Sequence, residues 1–358
     1  MRKIRIKDIA DLAKVSIGTV DRVIHNRGEV SEDTARRIRK LLEEMNYTPD
    51  IKASSLALKR EIRLAVLMPG FVSEHAFWKM PMKGIDRSLQ ELSDYRLKVD
   101  MFYFDQFSPE DFIKRIKDFP FDTVHGVLFA PVFLQDSLEF LQRCKAQELP
   151  VVLFNSSLEE GEYSAFVGQD ALQSGKVAGR LMNYGLEHRR DVLIVNLSAR
   201  KDNYAHLVNR EKGFRAYFED NRDRVDRLVS IDLNGVSEPV LEEKLNKAFE
   251  RYNIGGVFVS NSRVYKVAEY LERHGEINTR LVGFDLMPES VHHLKKGSID
   301  FLLSQQPEVQ ASRGLSALFN LVAFNIVPER NQYMPIDIIT KENLEYYKPD
   351  QGQNNESI

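Results

Sequence analysis

From Arg63 to about residue 340 the chain alternates short apolar runs with longer helical stretches, and this alternation constrains the fold more than any other feature. The runs that read as strands are RLAVLM, KVDMFYF, GVLFA, PVVLFN, SAFVGQ, DVLIVNL, RLVSIDL, GVFVSN, RLVGFDL and DFLLSQ. Strands joined by helix-length connections pair in parallel, and continuously apolar strands need helices over both faces. The expectation is therefore an α/β body of doubly wound parallel sheets in two lobes, and no fixed-period repeat runs through it.

The first sixty residues are of another kind. They hold fourteen lysines and arginines against nine aspartates and glutamates, whereas the remainder holds 36 against 44, within a net charge of -3. A basic head on an acidic body points to nucleic acid for the head and a separate task for the body. No run approaches the eighteen or so apolar residues that span a bilayer, and MRKIRIKDIADLAK lacks the apolar stretch of a signal peptide. The expectation is a cytoplasmic protein with no membrane partner. The one cysteine, Cys144, lies in FLQRCKAQEL and reads as packing.

Three short helices can be read in the head. The first, Ile6 to Lys14, has apolar Ile9, Ala10, Leu12 and Ala13; Ser16 is a candidate N-cap for Ile17 to Asn26; Ser31 is one for a third helix with Ala35, Ile38, Leu42 and Met45. None can bury its apolar face alone, so the three form one unit. Only Lys14, Val15 and Ser16 separate the first two, which is the spacing of a helix-turn-helix. In that geometry the second helix enters the major groove by its N-terminal half. Val20, Val23 and Ile24 then face inward, leaving Ile17, Gly18, Asp21, Arg22 and His25 towards solvent or DNA. Ser16, Ser31 and Thr34 stand where hydroxyls and helix N-termini hold phosphates. Arg22 is the best candidate for reading a base, since a guanidinium donates twice to guanine. A generic three-helix unit with a solvated arginine is the competing reading of these residues alone.

After a break at Asn46-Tyr47-Thr48-Pro49, DIKASSLALKR offers a further short helix with Ala53, Ser54 and Ser55 before Leu56. The segments IKDIADLAKVSIGTVDRVIHN, VSEDTARRI and MNYTPDIKASSLA, collinear over about sixty residues, resemble the head of LacI-family transcriptional regulators. The resemblance implies a hinge helix that orders between two subunits on the operator, with Leu56 levered into the minor groove beside Ala53 and Ser54. It completes the DNA-binding set with Thr19, Asn26 and Tyr47. Two departures stand out: Ile17 and Gly18 occupy the first exposed recognition positions, and Asp21 replaces the usual serine. Asp21 either accepts from a cytosine amino group or positions Arg22 as an ion pair.

No G-x-G-x-x-G follows the first strand of the body and no G-x-x-x-x-G-K-[ST] occurs, so nucleotide binding has no motif. His292-His293 are adjacent and read as a surface pair, not metal ligands; no cofactor is expected. FVGQDALQSGKVAGRLM, NREKGF, VFVSNS, VGFDLMPE and FLLSQQP, in that order, resemble the periplasmic-binding-protein-like effector domain of the same family, of the ribose-binding type. Such domains bind a small ligand between lobes, at strand C-termini. Strand ends give Phe77, Trp78, Asn155, Arg210, Asn261, Asp285 and Gln305, an aromatic face with donors and acceptors suited to a sugar. Each has a structural alternative: Phe77 and Trp78 as core, Asn155 and Asn261 as turn formers, Asp285 as cap of a helix near Pro288, Arg210 as ion partner of Glu211 or Asp202. Asn155-Ser156 departs from the charged Asp-Arg pair usual in ribose-type pockets.

The resemblance also implies chain crossings near Gln169, Gln305 and Met334. The domains expected are a head over 1–48, a hinge over 49–61, one lobe of 62–168 plus 306–333, a second of 169–305 plus 334–348, and a disordered tail over 349–358. The expected function is a homodimeric DNA-binding regulator, a repressor, whose operator affinity a sugar-like effector controls. The alternatives are an exported solute-binding protein and an α/β enzyme with an accessory DNA-binding head.

Overall fold

The computed structural model describes residues 6–24, 30–45, 61–70, 76–186, 189–197, 205–221, 224–233, 237–276 and 278–347. In the head, α1 (Ile6–Ala13), α2 (Ile17–Ile24) and α3 (Glu32–Glu44) close around Ile9, Ala10, Ala13, Val20, Val23, Ala35 and Ile38. Lys14 at φ 53° turns the chain out of α1 one residue earlier than the sequence suggests. Ser16 Oγ then accepts from the Thr19 amide at 3.1 Å, capping α2. Leu12, read as part of the inward face, is 55% exposed. The inward face of α1 is Ile9, Ala10 and Ala13; a residue two places after Ala10 points away from it.

In the body, β1 (Ile62–Pro69), α4 (Lys79–Glu91), β2 (Leu97–Phe104), α5 (Pro109–Lys117), β3 (Gly126–Phe129), α6 (Leu134–Ala146), β4 (Val151–Phe154) and β5 (Ala165–Gly168) build the first lobe. The second is built from α7 (Ala171–Gly185), β6 (Asp191–Leu197), α8 (Ala205–Glu219), β7 (Leu228–Leu233), α9 (Glu238–Arg251), β8 (Ile254–Val259), α10 (Val264–Arg273), β9 (Arg280–Phe284), α11 (Pro288–Lys296) and β10 (Phe301–Ser304). The chain then returns with α12 (Pro307–Phe324) and β11 (Asn331–Tyr333) to the first sheet and ends with β12 (Asp337–Ile339) in the second. The strand orders are β11-β5-β4-β3-β1-β2 and β12-β10-β9-β8-β6-β7, parallel except for β12 against β10. Order reverses at β1/β3 and at β6/β8, and such switch points open a crevice at strand C-termini. All ten sequence-read strands form. The short β11 and β12 escaped the reading because NQY and DII carry no sustained apolar run.

Three segments pass between the sheets, and Gln169 ties them. Its Nε2 donates to the Ser304 carbonyl at 3.1 Å and to the Pro335 carbonyl at 3.0 Å.

Each sheet buries an apolar cluster on both faces. Cys144 lies in one of them, and burial pushes its thiol up to about 12, as packing requires. His293 corrects the surface-pair reading: it is buried, its Nδ1 2.8 Å from Glu272 Oε1, and only His292 is exposed. No described helix is long and apolar enough to cross a membrane.

The contact of α7 with α8 is close, backbone against backbone. A Cβ on Gly213 would lie 1.9 Å from the Leu172 carbonyl oxygen, and one on Gly175 would lie 2.0 Å from that of Arg210. Neither obstacle is a side chain that can rotate away, so the glycine of NREKGF sets how deeply α8 seats. Gly213→Ala is expected to lower the stability of the body by about 1–3 kcal/mol or more. Urea unfolding measures this, and an unchanged midpoint would contradict the contact.

Candidate effector cleft and DNA-recognition helix

The cleft is formed where strands end. Asn155 follows β4 at φ 68° and Asp285 follows β9 at φ 65°, left-handed conformations that Asn and Asp tolerate best among side-chain-bearing residues. Each turn is fixed by a bond to the neighbouring strand: Asn155 N to the Val167 carbonyl at 3.2 Å, Asp285 N to that of Leu303 at 3.0 Å. The turn-former reading of Asn155 and its place in the cleft are thus compatible.

Phe77, Trp78, Asn155, Arg210, Asn261, Asp285 and Gln305 all line one cavity of about 760 Å³, open mouth included. Trp78 is 5% exposed and belongs to the first lobe's core, so the core alternative also holds for it. It meets Phe77 edge-on at 5.1 Å, and its indole N–H donates to Gln106 Oε1 at 3.2 Å. Asn261 Nδ2 donates to the Leu197 carbonyl at 2.7 Å, while its Oδ1 accepts from the Arg263 amide at 3.1 Å.

Arg210 is 2% exposed. Its Nη1 donates to the Ser260 carbonyl at 2.8 Å, its guanidinium lies 3.6 Å from the Phe284 ring centroid, and its Nε is buried without a hydrogen-bond partner. Glu211 is not its ion partner: that carboxylate holds Arg215 at 2.8 Å, and Asp202 lies outside the described residues. Asp285 accepts from Gln305 Nε2 at 2.8 Å and caps no helix, since Met287 takes the N-cap position of α11. Burial lowers the Arg210 guanidinium to about 10 and raises the Asp285 carboxyl to about 6, each charge partly restoring the other.

The sequence reading missed His206, Arg263 and Phe107, which also line the cavity. His206 precedes Arg210 by one helical turn, and that spacing was the available signal. Its Nδ1 lies 3.2 Å from Ser156 Oγ, and Arg263 stacks over the Phe107 ring at 5.2 Å, so both join one lobe to the other. Asn155-Ser156 stands where a charged Asp-Arg pair was the family expectation, and Ser156 meets His206 across the cleft. Enclosure by protein, and then the charge of Arg210, push the imidazole down to about 3.

In the head, Ile17 is 48% exposed, Arg22 is exposed, and Thr19 and Asp21 are half-buried. A Cβ on Gly18 would meet only Ser16 Oγ, at 3.7 Å, so packing does not require glycine there. Ser16 Oγ pairs with Thr19 Oγ1 at 2.9 Å, and Ser31 Oγ donates to Thr34 Oγ1 at 2.9 Å. His25, Asn26, Tyr47, Ala53, Ser54 and Leu56 lie outside the described residues.

Residues 5–50 match the bacterial regulatory proteins of the lacI family, and residues 64–325 match the periplasmic binding protein domain. The chain belongs to the LacI family of bacterial regulators. It is 26% identical over 268 residues to the HTH-type transcriptional regulator DegA of Bacillus subtilis (strain 168), covering 72% of this chain and 73% of that one. To the probable HTH-type transcriptional repressor ExuR of the same organism it is 27% identical over 174 residues, about half of each chain (47% and 47%). A putative LacI transcriptional regulator from Bacteroides fragilis superposes with a TM-score of 0.74 at 25% identity, over 81% of this chain and 100% of that one. This LacI-family chain is a DNA-binding transcriptional regulator and not an enzyme, and neither the transport nor the enzyme reading is favoured.

The His206 shift has a pH consequence. In the folded regulator the imidazole stays neutral down to about 3, whereas unfolded it takes up a proton below its ordinary 6.5. The stability this confers is complete above that value and is lost as pH falls. From about pH 7.5 to about pH 5 the wild type is expected to lose about 1–2 kcal/mol more than His206→Gln. Asp285, whose raised pKa acts in the opposite direction, is present in both chains. Urea unfolding at the two pH values checks this; equal losses would refute it.

Proposed function

We propose that this LacI-family regulator is a cytoplasmic homodimeric repressor whose operator affinity is set by a sugar or sugar derivative held between its lobes. Phe77, Trp78, Asn155, Arg210, Asn261, Asp285 and Gln305 form the effector site. The observation that carries this reading is the convergence, in one interlobe cleft, of aromatic rings, amides and the buried pair of Arg210 and Asp285. An aromatic face receives the apolar face of a sugar ring, and mixed donors and acceptors match hydroxyls that both give and take hydrogen bonds. Two similarities support the class: a ribose operon repressor of Lactococcus lactis, 23% identical over 224 residues, and a glucose-galactose binding protein from Geobacillus stearothermophilus, of like fold with a TM-score of 0.70.

One lobe is 62–168 plus 306–333 and the other 169–305 plus 334–348, so ligand closes them about three crossings. Closure alters DNA affinity because effector and operator favour different arrangements, and the coupling is reciprocal. At the DNA, Arg22 and Ile17 read the major groove from the exposed face of α2. Ser16, Ser31 and Thr34 hold phosphates, Asp21 positions Arg22, and Thr19, His25, Asn26 and Tyr47 complete the DNA-binding set. Leu56, with Ala53 and Ser54, wedges the minor groove, and the two-fold dimer reads a near-palindromic site.

A thermal-shift screen of sugars and sugar phosphates tests the site. A ligand at a hundred times its Kd stabilises the native state by about 2.7 kcal/mol, and Arg210→Ala or Asp285→Ala is expected to abolish the shift while leaving operator binding intact. A screen without any shift, or a shift that survives Arg210→Ala, would sink the assignment. At the head, Arg22→Ala is expected to lower discrimination at one base pair by about 1–3 kcal/mol. Gel shifts with the wild-type and base-substituted upstream fragment read this out, and an unchanged preference would remove Arg22 from its reading role.

A further inference from the structure

Behind the cleft, outside its lining, lies a polar cluster centred on Asn196 of β6, which is fully buried. Both of its amide protons are in use and its amide oxygen accepts once. Nδ2 donates to Glu211 Oε2 at 2.8 Å and to Asp232 Oδ1 at 2.8 Å, and Oδ1 accepts from Ser260 Oγ at 2.6 Å. Glu211 is further held by Arg215 Nε at 2.8 Å and Ser230 Oγ at 2.6 Å. Two of these partners bear directly on the cleft arginine. Glu211 is its neighbour on α8, and Ser260 supplies the carbonyl to which Arg210 Nη1 donates.

We propose that Asn196 is a positioning residue for Arg210, fixing from behind both the helix that carries the guanidinium and the carbonyl that orients it over Phe284. An arginine side chain has many rotamers, and ordering it before ligand arrives removes that cost from binding. Asn196 suits the task because one planar amide gives two hydrogen bonds and takes a third, linking β6, α8, β7 and the end of β8. A hydrophobic residue of the same size would remove the Asn196 donor from Glu211 Oε2 and release Ser260. That this positioning serves recognition rests on the effector-site reading above; the positioning itself does not.

The test therefore uses no sugar. In the full-length chain labelled with 15N at arginine side chains, Arg210 is assigned by the signal lost in Arg210→Lys. Its Nε–H, buried and beside the Phe284 ring, is expected to give a ring-shifted and slowly exchanging signal. In Asn196→Leu that signal is expected to move into the envelope of exposed arginines and exchange at least about tenfold faster. The Nε–H of Arg280, bonded to the Gly185 carbonyl at 2.9 Å elsewhere in the lobe, is expected to stay unchanged. Should Asn196→Leu fail to fold, Ser260→Ala removes only the hydroxyl and is read by the same two signals. An Arg210 signal unaltered in shift and exchange would overturn the proposal, as would parallel changes at Arg210 and Arg280, which mark a general loss of structure. A sugar screen without a response would remove the effector reading and leave this result standing.

Discussion

A guanidinium is costly to take out of water, and the cleft of this protein is organised around one that has been. Arg210 keeps its charge because several neighbours compensate for lost solvent: the Phe284 ring, the Ser260 carbonyl and the field of Asp285. Each compensation constrains something else. Phe284 ends β9, Ser260 follows β8 and Asp285 turns the chain after β9, so three strand-end positions are fixed by one side chain. His206, one turn earlier on α8, is kept neutral by its enclosure and then by the same charge. The seating of α8 on α7 through Gly175 and Gly213 is what delivers both residues to that place.

Much of the fold was legible because its physics is repetitive. A parallel strand covered on both faces must be apolar throughout, and LAVLM, GVLF, VVLF and GVFV are all buried. The strands that escaped notice, β11 and β12, lie at the outer ends of their sheets, where three residues and a few hydrogen bonds suffice. Leu12 misled for a related reason. A short helix offers too few turns for its inward stripe to be told from an apolar neighbour.

The site divides in the same way. Residues at strand ends could be chosen from the sequence because the architecture itself places them at a crevice, and the seven chosen line one cavity. Phe107 and Arg263 could not, since what brings them in is the approach of two lobes, and His206 offered only its one-turn spacing from Arg210. Ser156 and His206 are fifty residues apart along the chain and belong to different lobes. The competing readings often proved compatible: Trp78 is core and cleft wall at once, and Asn155 makes a turn while lining the cavity. Asp285 was settled differently, its bond to Gln305 carrying the cleft into the chain crossing that Gln169 ties to the other two.

Gly18 gives the head an unusual freedom. Because only Ser16 Oγ stands near the space beside its Cα, packing of the three helices does not decide what stands there, and the inner residues Val20 and Val23 are untouched by it. Recognition and folding are thereby written on different sides of one short helix. A lineage carrying such a head can acquire a new operator preference by a single substitution at the front of α2, keeping the inner face of that helix as it is.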